Sequence, residues 1–187
     1  MTAIRNVFLV VFATMMVFPM SPRGSKNKSS DNNVQQNVDP KVKEAFDCTN
    51  DFRTGSEAYY WNRDNRTKTN LVGKLGKLTL DEELCKAAQI RADEIVKKFS
   101  HTRPNGESCF SVFDDLSIDA MSQAENIAAG SSTGKGTFIQ WKEDDEDYSG
   151  QGHRRNMLGK DYSRIGIAYS YSPKSEYKYY WVMVLAD

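Results

Sequence analysis

The chain carries two histidines, His101 and His153, and each lies in a short polar stretch bounded by glycine rather than on an apolar helical face. His101 falls between Phe99 and Gly106, and His153 follows Gly150-Gln-Gly and precedes Arg154, Arg155 and Asn156. Between them, Glu125 and Asn126 head a run of small and apolar residues, Ile127 to Gly130. Two imidazoles and a carboxylate are the makings of a polar cavity. Such groups are costly to enclose unless they are paired with one another or coordinate a cation. The bland alternative is that each histidine is a satisfied structural hydrogen-bonder. Three cysteines, Cys48, Cys85 and Cys109, form no Cys-x-x-Cys or zinc-finger spacing, so buried thiols are expected. A bridge between Cys85 and Cys109 is the alternative in an exported chain, and Cys109 acting as a nucleophile would need His101 as its base.

The elements that must position these residues are read from periodicity. Pro40 suits a first helical turn, and Val42, Ala45, Phe46 and Thr49 recur on one face of a helix ending near Gly55. Residues 59–69, aromatic and then polar, suggest an exposed loop pinned at one end. Thr79 as N-cap, with Glu82 at the capping-box position, opens the clearest helix, whose face carries Leu84, Ala87, Ala88, Arg91 and Ile95. Phe110, Phe113 and Leu116 indicate a short helix. Another around Thr137–Lys142 offers Phe138, Ile139 and Trp141 for burial. Residues 164–171 alternate, Ser172-Pro-Lys-Ser breaks them, and 177–186 return as an aromatic and β-branched strand, a hairpin pattern. A third strand is expected over 124–129. Helices first and a hairpin last imply an α+β chain, an α-β-α sandwich with a small central antiparallel sheet flanked by helices.

Composition sets the class. With 187 residues, 39% of them apolar, the chain can bury one ordinary core. Residues 41–187 carry 21 basic and 23 acidic side chains with no basic cluster, which argues against nucleic acid. Met1 and Arg5 precede an apolar run from Val7 to Phe18 closed by Pro19, which reads over residues 1–20 as a secretory signal or an N-terminal membrane tether. Residues 21–39 are polar and read as a solvated linker, leaving 40–187 as the folded domain.

The stretches at His101, Glu125 to Ala128, Gly152 to Leu158, and Gly166 to the Trp181 strand occur in the order seen in the CAP superfamily. That group, also called the SCP-domain family, includes cysteine-rich secretory proteins, antigen 5 and pathogenesis-related proteins. The chain resembles the bacterial exported branch. The resemblance implies a cleft with two histidines and two acids, able to take a divalent cation such as zinc. His101 and His153 match the histidines as metal ligands, and Glu125 matches the first acid. The second follows the helix tryptophan, Trp141, where Glu143 is favoured over Asp144. The chain departs from eukaryotic members after His153 and lacks their disulfide framework, which weakens any transfer of their activities.

Three functions compete, so enzymatic activity is left open. One is a secreted or cell-surface monomer whose cleft holds a metal and binds a small lipid-like or peptide ligand, or a surface protein. Asn126, Tyr169 and Tyr171 are its candidate binding residues. The second is a metal-dependent, peptidase-like hydrolase with Glu125 as general base on a bound water. The third pairs a serine with a histidine, but Ser100 adjoins His101 and neighbouring side chains diverge.

Overall fold

The computed structural model describes residues 38–187. The expected signal lies outside the described residues, as does all but the end of the linker. Helix α1 (Pro40–Thr54) starts at Asp39, whose carboxylate accepts from the Lys41 and Val42 amides, so the last residue of the expected linker caps the first helix. Residues 59–70 form a small hairpin, β1 (Tyr59–Trp61) paired with β2 (Lys68–Asn70), where a loop was expected. Its turn is tied by Asp64, which accepts from the Arg66 and Thr67 amides.

Thr79 is not a helix cap. It belongs to β3 (Thr79–Leu80), and α2 (Glu82–Lys97) is capped instead by Asp81, which accepts from the Leu84 amide. The reason is non-local. The Thr79 amide donates to the Ser163 carbonyl and the Asp81 amide to Ile165, which draws these residues into the sheet before the helix can begin. The chain continues through α3 (Ser111–Asp115), β4 (Gln123–Ala129), α4 (Gly134–Lys142), α5 (Gly152–Met157), β5 (Arg164–Tyr171) and β6 (Tyr179–Ala186).

The main sheet has the order β3-β5-β6-β4. The β5–β6 hairpin and the β4–β6 pair are antiparallel, but β3 runs parallel to β5, so the sheet is mixed rather than wholly antiparallel. Helices cover both faces. Trp181, Met183 and Leu185 of β6 pack with Val42, Phe46, Phe138 and Trp141 on the α1–α4 side, while Val182 and Val184 pack with Leu84, Ala88 and Phe113 on the α2–α3 side. Burial on both faces explains why β6 reads as a nearly continuous apolar run.

Helix α2 lies unusually close to β5. A methyl group added at Gly166 would fall 2.1 Å from the Leu84 carbonyl carbon, and Ala87, Ala88 and Ala92 supply the thin helical face that such an approach requires. On α4, Phe138 and Trp141 are buried as expected. Ile139 is 58% exposed, because it projects from the opposite side of a helix with only one covered face.

Strand β4 is an edge strand, yet its five central residues are buried. Side chains occupy several of its outward carbonyls: Gln140 donates to Ala129, Asn156 to Glu125 and Tyr162 to Gln123. Covering an edge in this way blocks further strand pairing. It also places β4 beside both histidine segments.

Candidate functional site

Successive residues of a strand face opposite ways, and β4 uses this to address both histidines. Glu125 points to the α2 side and Asn126 to the α5 side. The Glu125 side chain is 1% exposed, and its Oε1 lies 2.7 Å from His101 Nδ1. Asn126 donates to the His153 carbonyl at 3.1 Å and accepts from Asn156 Nδ2 at 2.8 Å. Asn126 and Asn156 therefore form a bracket that holds α5 to the edge strand.

His153 has its own carboxylate. Glu143 Oε1 lies 2.5 Å from His153 Nδ1, and Glu143 Oε2 accepts from the Arg154 amide. Glu143 terminates α4 in the left-handed region, at φ 50°, ψ 47°. A non-glycine residue there is strained by about 1–2 kcal/mol, and the conformation turns the side chain back towards α5. Asp144, the alternative second acid, faces elsewhere: it accepts from Arg154 Nη1 at 2.7 Å and pairs with Lys142 at 2.8 Å. Those two cations hold its carboxyl below the ordinary range despite the opposing effect of partial burial.

Both imidazoles thus share one arrangement. An ionised carboxylate only accepts, so a neutral ring set against one carries its hydrogen on Nδ1 and keeps the lone pair of Nε2. Among the described residues, neither Nε2 has a hydrogen-bond partner. The rings are part-exposed, with side chains 22% and 31% accessible. A carboxylate behind the far nitrogen of an imidazole is the usual support for a metal-ligating histidine.

Cys109 joins the first group. Donor atoms of His101, Cys109 and Glu125 all lie within 4.8 Å of one another, a set that could hold a metal ion. All three cysteines are free. Burial, reinforced by the charge of Glu125, pushes the Cys109 thiol up to about 12, so it is not a nucleophile near neutral pH.

Two buried arginines complete the surroundings. Arg91, on α2, is fully buried and donates from Nε to Glu125 Oε2 at 2.8 Å and from Nη2 to Glu125 Oε1 at 3.2 Å. Arg154, also fully buried, donates to the carbonyls of Glu57, Tyr59 and Lys142, fastening α5 to β1 and α4. The available signal for Arg91 was a cation on the otherwise apolar stripe of α2. For Arg154 the sequence offered only neighbouring acids without order among them, of which Asp144 is its partner, while the Glu57 and Tyr59 carbonyls lie more than ninety residues away.

The remaining candidates lie apart. Tyr169 stacks on Trp181 and Tyr179 and donates to Asp39, while Tyr171 is 55% exposed beside Tyr179. The register puts Tyr169 two strands across from β4 and three residues along from Glu125, roughly 14 Å between backbones at standard strand spacings. The tyrosines form a surface ladder over α1 rather than part of the histidine site. Ser100 is not aimed at His101 either: its hydroxyl accepts from the Thr102 amide and its carbonyl from Arg91.

A mixed sheet between helices, with two carboxylate-backed imidazoles beside an edge strand, defines an α+β sandwich of the CAP type. The chain belongs to the cysteine-rich secretory protein family, whose model matches residues 46–185. The uncharacterized protein YkwD of Bacillus subtilis is 30% identical over 97 residues, covering 51% of this chain and 35% of that protein. An extracellular SCP-domain protein from Bacillus anthracis has a similar fold, with TM-score 0.56 and 19% identity over 86% of this chain and 45% of its own. NaASP2, solved with Zn2+, is similar at TM-score 0.53 and 13% identity over 84% of this chain and 83% of that one. The chain thus spans about a third of its curated relative and under half of the Bacillus anthracis protein.

Proposed function

We propose that this is an exported CAP-domain binding module, secreted or held at the cell surface. Its cleft takes a divalent cation, zinc by donor type, and presents it to a small lipid-like or peptide ligand. The observation that carries the reading is the paired arrangement of His101 with Glu125 and His153 with Glu143, which leaves both Nε2 atoms available. Neutral imidazole nitrogen is a preferred zinc donor, and two such ligands leave coordination positions open to water or ligand. The extracellular Bacillus anthracis relative and the Zn2+-bound NaASP2 support the setting and the metal respectively.

The hydrolase alternative asks Glu125 to serve as base towards a metal-bound water. Glu125 is engaged on both oxygens by Arg91 and on one by His101, and its side chain is almost wholly enclosed. That geometry suits an orienter of His101 rather than a base, so the binding module is the better-supported reading.

Zinc titration of the full chain beside His101→Ala, His153→Ala and Cys109→Ser tests it. Either histidine variant should lose at least about tenfold in affinity while Cys109→Ser keeps it. Unchanged affinity in both histidine variants refutes the metal reading. A loss with Cys109→Ser but none with His153→Ala would move the ion to the His101–Cys109–Glu125 group and overturn the two-imidazole arrangement.

A further inference from the structure

Arg91 is the charged residue that the apolar face of α2 has least reason to hold. Its neighbours on that face, Leu84, Ala87, Ala88 and Ile95, are all fully buried, and an apolar side chain would pack there without the cost of desolvating a guanidinium. Its hydrogen bonds converge on one place instead. Nε and Nη2 grip the two oxygens of Glu125, and Nη2 also donates to the Ser100 carbonyl at 2.8 Å, immediately before His101. Nη1 is held at 2.5 Å by Glu94.

Glu94 is in turn fixed by Arg103, whose Nε and Nη2 donate to it at 3.0 and 2.8 Å. The Nη1 of Arg103 reaches Ser111 and Asp115 of α3. Alternating charges therefore run from α3 through the His101 loop and α2 to β4. Glu143 has no such clamp, receiving only the Arg154 amide beside its bond to His153.

We propose that Arg91 is the positioning residue of the His101 half of the cleft. By fixing the plane of Glu125 and the carbonyl before His101, it keeps the carboxylate seated on Nδ1, so that the hydrogen stays there and the Nε2 lone pair is left free; at His153 the left-handed turn of Glu143 seats the carboxylate instead. A guanidinium fork sets both position and plane of a carboxylate, whereas a lysine ammonium offers one charged point. The role of Nε2 as a metal donor rests on the metal-cleft reading above; the tautomer does not.

The test uses imidazole nitrogen NMR on the metal-free full chain at about pH 8, above the ordinary histidine range. In the wild type, His101 should show a single Nδ1–H tautomer. In Arg91→Lys and Arg91→Met it should become a mixture while the His153 signals stay in place, and zinc affinity should fall about tenfold. An unchanged single tautomer for His101 in folded Arg91→Lys overturns the proposal, and that variant decides alone if Arg91→Met does not fold. Failure of the metal reading looks different: no zinc-induced shift at either ring in the wild type, with the tautomer change in Arg91→Lys still present.

Discussion

Glu125→Gln removes one charge from a pair whose side chains are 0% and 1% exposed. Breaking a buried ion pair from one side usually costs about 3–5 kcal/mol, because the partner charge is left uncompensated. Here Arg91 keeps Glu94 at 2.5 Å and the Ser100 carbonyl, and the glutamine retains one acceptor oxygen, so the expected loss is about 2–3 kcal/mol. For a domain of this size that lowers the melting midpoint by about 4–12 °C. Arg91→Met strands the carboxylate instead and should cost about 3–5 kcal/mol. The double variant Arg91→Met/Glu125→Gln removes both charges and should be at least about 2 kcal/mol more stable than the sum of the single losses implies. Reversible urea unfolding, followed by near-ultraviolet circular dichroism, completes the cycle. Additivity of the single variants to within about 0.5 kcal/mol would refute the buried clamp. The result also bears on function, because a carboxylate held in reserve as a base is commonly removable with little loss of stability, or even a gain.

Two further outcomes follow from the packing and the charge network. Gly166→Ala should destabilise by at least about 3 kcal/mol, since its new methyl group would meet the Leu84 backbone at 2.1–2.2 Å, whereas Gly152→Ala, with open space at its Cβ, should stay within about 0.5 kcal/mol; equal urea midpoints for the two would contradict the close α2–β5 approach. Acidification should weaken the fold in a definite window. Partial burial raises the Glu94 carboxyl, but its hydrogen bonds from Arg103 and Arg91 outweigh that and hold it below the ordinary value. Asp144 is lowered in the same way by Lys142 and Arg154. Groups lowered on folding stabilise above their unfolded values near 4 and lose that contribution as pH falls through their folded values. The urea midpoint should therefore decline below about pH 4, and a flat profile from pH 5 to 3 would count against these pairs.

What the sequence determined by itself was whatever a short stretch of chain can specify. The alternation of residues 164–171, the break at Ser172 and the apolar run beyond it specify a hairpin, because strand faces repeat every second residue. The stripe of Leu84, Ala87, Ala88 and Ile95 likewise specifies a buried helical face. Four motifs in order were enough to point to the family. Tertiary structure decided the rest. Thr79 carries a good capping signal, yet it joins β3 because the Ser163 carbonyl, more than eighty residues away, accepts from its amide as Ile165 does from Asp81. Glu143 and Asp144 are adjacent acids that no local pattern separates; the left-handed turn at Glu143 sends one to His153 and the other to Arg154. The pairing of His101 with Glu125, and the buried Arg91 behind them, exist only because α2 packs across a sheet whose edge strand arrives later in the chain. Periodicity reports which side of an element is covered. Which charges meet beneath it is set by contacts between distant segments, and those follow from how the layers pack.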